Sequence, residues 1–107
     1  MKIFLTLTAL ASIGLAVSLP AQAAGNAEAA KGKVSMCIGC HGIPLYRTAY
    51  PEVYHVPKIA GQTPEYIIKA LQAYKSGERG HPSMNGIARG LTDADMADLA
   101  AYYGKAK

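Results

Sequence analysis

A chain of 107 residues holds one small domain and no more. Its formal net charge of +4 comes from lysines and arginines that never form a run, with Lys31, Lys33, Lys58, Lys69, Lys75, Arg79 and Arg89 scattered along it, so nothing asks for a nucleic-acid partner. Both cysteines fall within one five-residue stretch, which leaves no thiol for any other purpose.

Met1-Lys2 supplies a short positive end, and Ile3 to Leu19 is apolar apart from Thr6, Thr8, Ser12 and Ser18. Pro20-Ala21-Gln22-Ala23 then brings small residues at the cleavage spacing. This is the pattern of a secretory signal peptide over residues 1–23, cut after Ala23, and it leaves 24–107 as the domain. An uncleaved membrane anchor is the alternative; Pro20 and the Ala-x-Ala site favour cleavage, so the mature chain is expected to keep no stable membrane span. The cut has no cysteine near it, which excludes a lipid anchor there.

Gly25-Asn26 offers an N-cap for a helix that starts at Ala27-Glu28-Ala29-Ala30-Lys31. Gly32 weakens that helix, yet it is expected to run on through Val34 and Met36. It delivers Cys37-Ile38-Gly39-Cys40-His41. Two thiols three positions apart on a helical turn can each add to one vinyl group of a haem, and the adjoining His41 is then held under the ring as proximal ligand. A disulfide across so short a loop would constrain the unfolded chain very little. A thioredoxin-like pair needs a βαβ setting, and zinc needs a further ligand and usually a second pair of cysteines; neither is present in the pattern.

Residues 43–62 are irregular by their own signals, since Pro44, Pro51 and Pro57 break any long helix. Tyr46, Tyr50 and Tyr54 recur every fourth residue there, as packing surface or, with Arg47, as partners for a haem propionate. Thr63-Pro64-Glu65 opens the next helix, Ile67, Leu71 and Tyr74 give it a buried stripe, and Gly77 ends it. Gly80-His81-Pro82-Ser83-Met84-Asn85-Gly86 reads as a punctuated loop. The last helix has Thr92 as cap, Asp93 and Asp95 at its positive end, and Met96, Leu99, Ala100 and Tyr103 on its apolar face. Nothing reads as strand, so the fold class is all-α: three to four short helices around a prosthetic group.

The iron's second axial ligand is sought among Met84, His81, His55, Met36 and Met96. Met36 adjoins the attachment side and Met96 falls in a buried stripe. Met84, a flexible thioether on a loop able to fold over the ring, is the choice. Filling both axial positions makes the product a carrier of electrons and not an enzyme.

The residues resemble a class I c-type cytochrome, the small bacterial monohaem kind similar to one half of the two-haem cytochromes. Cys37-Ile38-Gly39-Cys40-His41-Gly42, Pro57-Lys58-Ile59-Ala60-Gly61-Gln62, Met84-Asn85-Gly86-Ile87-Ala88 with Leu91-Thr92-Asp93, and Leu99-Ala100-Ala101-Tyr102-Tyr103 carry the likeness. The resemblance implies a cytochrome c fold with one haem c bound through Cys37 and Cys40, and iron held by His41 and Met84. It also implies that the Pro57 carbonyl accepts the Nδ1 proton of His41 and that the first and last helices cross; with the leader, the protein is expected in the periplasm, as a monomer. Its expected donors are a quinol-oxidising complex or a dehydrogenase, its acceptors a terminal oxidase or reductase, and Lys33, Lys58 and Arg79 are expected to steer them. The other functional classes are a haem enzyme or gas binder with an open sixth position, and a haem subunit of a larger enzyme. Because the domain is small, its haem-free form is expected to be largely unfolded.

Overall fold

The computed structural model describes residues 25–51 and 53–105; the leader expected over 1–23 lies outside them. Five helices and one minimal hairpin follow in order: α1 (Ala27–Ala30), α2 (Ser35–His41), β1 (Arg47–Thr48), β2 (Tyr54–His55), α3 (Pro64–Ser76), α4 (Pro82–Arg89) and α5 (Asp93–Lys105).

The first segment is broken where continuity was expected. Asn26 caps α1, its side-chain oxygen accepting from the Glu28 N–H at 2.9 Å, but the helix stops after Ala30 and a turn over 31–34 intervenes before α2. Gly32 is costly in a helix, and Lys33 is drawn away to α5, where its ammonium lies 2.7 Å from the carboxylates of both Asp95 and Asp98. Lys33 is therefore tied down within the fold and is not the free steering charge expected of it. Asp98 also accepts the Asn26 N–H at 2.8 Å, and a Cβ on Gly25 would fall 1.9 Å from the Ala97 carbonyl oxygen. Glycine is what lets the entering chain lie against α5.

The tyrosine-rich segment is a second departure. Arg47 pairs with His55 and Thr48 with Tyr54 in an antiparallel register, and the Val56 N–H donates to the Tyr46 carbonyl at 3.0 Å. The three prolines that forbid helix here favour extended backbone, and two extended pieces close enough to pair will do so. A pair only two residues long leaves no alternation to read.

The two longest helices follow their signals. Thr63 caps α3 through the Tyr66 N–H, Pro64 takes its first position, and Gly77 at φ +84° ends it in the left-handed region. A capping box opens α5: the Asp95 N–H donates to Thr92 Oγ1 at 3.1 Å, and the Thr92 N–H to the Asp95 carboxylate at 2.9 Å. The stretch expected as a loop around Met84 is the helix α4. Pro82 suits its first position, and the Asn85 side chain, accepting the His81 N–H at 2.8 Å, does the capping that no Ser or Thr does.

α5 packs against both α1 and α3, and α3 also packs against α4. Ala30, Ile67, Leu91, Met96, Leu99, Ala100 and Tyr103 form the core between them. Met96 is fully buried there, as its place in the stripe implied. Among the described residues no helix is long and apolar enough to cross a membrane.

Candidate functional site

One cleft gathers the chemistry. The three-residue spacing of Cys37 and Cys40 puts both on one face of α2, and that face, with Met36 and His41, forms part of the cleft's lining. α3 contributes Tyr66, Ile67, Leu71 and Tyr74, α4 contributes Met84 and Ile87, and α5 contributes Leu99 and Tyr103. The hairpin adds Thr48 and Tyr54, and the extended stretch after it adds Val56, Pro57, Lys58 and Ile59. Most of this lining is apolar.

Nδ1 of His41 lies 2.7 Å from the carbonyl oxygen of Pro57. A carbonyl can only accept, so this nitrogen carries the proton and the lone pair of the neutral ring sits on Nε2. The bond fixes both tautomer and ring orientation. Pro57 has no N–H and an extended bias before it, which keeps its carbonyl out of helical pairing and available for this contact.

Neither cysteine is in a disulfide, and each is half-buried. Burial pushes the Cys37 thiol up, against a weaker opposing pull from Tyr103. A neutral, shielded sulfur is a poor thiolate and a poor ligand for a hard cation. The Tyr103 hydroxyl is buried with no partner beyond the Cys37 thiol, and burial, then that thiol, push it up to about 12. The imidazole of His81 also has a buried Nδ1 without a partner, and its ring meets Tyr54 edge-on with centroids 4.9 Å apart. Among the described residues no group of three or more His, Cys, Asp and Glu is set to hold a metal ion.

Cys37, Cys40, His41, Pro57 and Met84, the residues named from sequence, thus all line the same cleft. Of the other axial candidates, Met36 and His81 line it too, while His55 is exposed on β2 and Met96 is core. Arg47 is exposed on β1 and does not line the cleft, whereas Arg79 does. Sequence reasoning gave Arg79 only a steering role at the surface and passed over Asn85. A lone arginine after a glycine cap reads as surface, and an asparagine beside glycine reads as a turn.

A family model described as Cytochrome c matches residues 27–106. The chain belongs to the cytochrome c family. It is 39% identical over 83 residues to cytochrome c-554(548) of Halomonas halodenitrificans, a match covering 75% of this chain and 95% of that protein. It is 38% identical over 102 residues to cytochrome c4 of Stutzerimonas stutzeri, covering 87% of this chain but 47% of the relative. The cytochrome c4 structure of Acidithiobacillus ferrooxidans superposes with a TM-score of 0.62 at 28% identity, covering 79% of this chain and 52% of that one. The cytochrome thus spans about half the length of the c4 relatives it matches.

The site fits the family's cofactor. Cys37 and Cys40, both facing an apolar cleft, suit a covalently bound haem c with its iron, and electron transfer is the chemistry of such a protein. Among the described residues the fold is helical apart from one short hairpin, as a small cytochrome c fold requires.

Proposed function

We propose that this cytochrome carries single electrons in the periplasm, as residues 24–107 released from a leader over 1–23, with its haem iron held by His41 and Met84. The bound haem supplies a one-electron couple. His41 is oriented for its part by Pro57, which leaves Nε2 free to coordinate. Met84 supplies a soft thioether, which favours the ferrous state and raises the reduction potential. The apolar lining excludes water, and with both axial positions filled no coordination site is left for substrate or gas. That is the property of a carrier and not of an enzyme.

The observation that carries the reading is the convergence of both thiols, His41 and Met84 on one apolar cleft. The expected partners are redox proteins: a quinol-oxidising complex or dehydrogenase as donor, an oxidase or reductase as acceptor, met one at a time by a monomer in transient encounters. Residues Met36 and Ile38 of α2, each about half exposed, offer an apolar docking surface beside the attachment turn.

The oxidised protein is expected to show the near-infrared sulfur-to-iron charge-transfer band, and Met84→Ala to lose it while retaining the covalent haem. The ferrous wild type is expected not to take up carbon monoxide at neutral pH, and the variant to do so. Persistence of the band in Met84→Ala would overturn the ligand assignment.

A further inference from the structure

We propose that Arg79 is the counter-charge for the acidic edge of the bound porphyrin, its guanidinium engaging a propionate carboxylate in the cleft. This rests on the haem-binding reading above. Arg79 follows the left-handed cap of α3, and its backbone is held from two sides: its N–H donates to the Ala73 carbonyl at 3.1 Å, and its own carbonyl accepts from the Asn85 side chain at 2.8 Å. Its guanidinium donates to the Tyr66 hydroxyl at 3.3 Å and lies 4.8 Å from the centroid of the Tyr74 ring. So the charge is positioned by the ends of α3 and α4 and by two aromatic side chains that also line the cleft.

Among the described residues the guanidinium has no carboxylate partner. The ion pairs among the described residues join Lys31 to Glu28 and Lys33 to Asp95 and Asp98; none involves Arg79. Its planar fork carries five N–H donors and matches a carboxylate with two parallel bonds. A haem brings two carboxylates to a cleft whose lining is otherwise mostly apolar, and burying those charges without a partner would be costly. Arg47, the sequence-level candidate for this contact, is outside the cleft lining.

The titratable groups that share the cleft with the carboxylates are the phenols Tyr54, Tyr66, Tyr74 and Tyr103, the ammonium of Lys58 and the imidazoles of His41 and His81, together with Cys37 and Cys40, which the attached haem would occupy. Lys58 is exposed and has no anchoring contact comparable to those of Arg79. Of the described cations that line the cleft, Arg79 is the one that the fold pins.

The test is the midpoint potential of the holoprotein measured against pH. An adjacent cation keeps the carboxylates ionised, and their protonation raises the potential. In Arg79→Gln the pH-dependent region of the curve should move upward by about one to three pH units, with the near-infrared band intact. Arg79→Lys should recover part of the change, since it restores charge without the fork. Tyr66→Phe, which releases the guanidinium and removes no charge, should move the same region in the same direction by less. Coincident curves for wild type, Arg79→Gln and Tyr66→Phe overturn the proposal; if Arg79→Gln does not accumulate, an unmoved Tyr66→Phe curve does so. An unmoved curve joined to a weaker salt dependence of electron transfer in Arg79→Gln would assign Arg79 to partner docking instead. A wild type without haem absorbance would instead overturn the underlying reading.

Discussion

The carboxamide of Asn85 holds three chain segments at once. Its Nδ2 donates to the carbonyls of Tyr74 at 2.7 Å and Arg79 at 2.8 Å, and its Oδ1 accepts the His81 N–H at 2.8 Å. One side chain thereby fastens the end of α3, the turn carrying Arg79 and the first turn of α4, where Met84 sits. Asn85→Ala removes the partner of the His81 N–H and of the Arg79 carbonyl, while the Tyr74 carbonyl keeps the Gly77 N–H, and it should lower stability by about 1–3 kcal/mol in urea denaturation. The near-infrared band should weaken with it, because Met84 loses its anchored turn. A change well below that range, with the band at full strength, would show that water replaces the carboxamide without loss. Residues of this kind are hard to read in advance. Cys37, Cys40 and His41 declare themselves by spacing, and Met84 by being a thioether outside any apolar stripe. Asn85 acquires its carbonyl partners only once α4 lies beside α3, and Arg79 its aromatic ones only once the chain turns back on α3 after Gly77.

Between elements, the junction of α1 and α5 depends on charge. Hydrogen bonding to Lys33 is the largest influence holding Asp95 down to about 2, from 3.8, and it lowers Asp98 as well. A carboxyl whose folded pKa lies below its unfolded value contributes stability that is complete above the unfolded value and lost as pH falls through the folded one. The window here runs from about pH 4 down to about pH 2. Lys33→Met should therefore melt at a lower temperature than wild type at neutral pH, and the gap should close across that window; a gap unchanged between pH 5 and pH 2 would sink the argument. Local signals were enough for α3 and α5, whose caps, Thr63 and Thr92, act within their own first turns. They failed where a distant group decides. The break after Ala30 follows from Lys33 reaching α5, α4 is helical although Gly86 falls inside it, and the hairpin needs two stretches that are each too short to show a period.

At the scale of the whole molecule, the described residues build a thin core. Eight apolar residues are buried, and of the larger side chains only Met96 and Leu99 are buried completely. Ile59, Leu71, Ile87, Tyr66 and Tyr74 instead line the cleft, as do Met36 and Tyr54, each about half exposed, with Ile38 about half exposed beside them. Apolar area contributes roughly 25 cal/mol per Å² only when it leaves water, so walls that face a cleft stabilise little until something apolar fills it. Domains of this size are marginal even with a complete core. A variant with Cys37→Ser and Cys40→Ser, shown by absorbance to be free of haem, should accordingly lose much of the far-ultraviolet helix signal of the loaded protein and melt without a cooperative step. The α3 and α5 pair, joined through Ile67, Leu99 and Tyr103, should be the last structure to go, since those residues meet in the core as well as at the cleft. Hydrogen exchange on the haem-free chain would locate the residual protection. A cooperative transition with the helix content of the loaded protein would mean that the seven-residue cluster around Met96 suffices for folding, and that the cleft is a preformed socket.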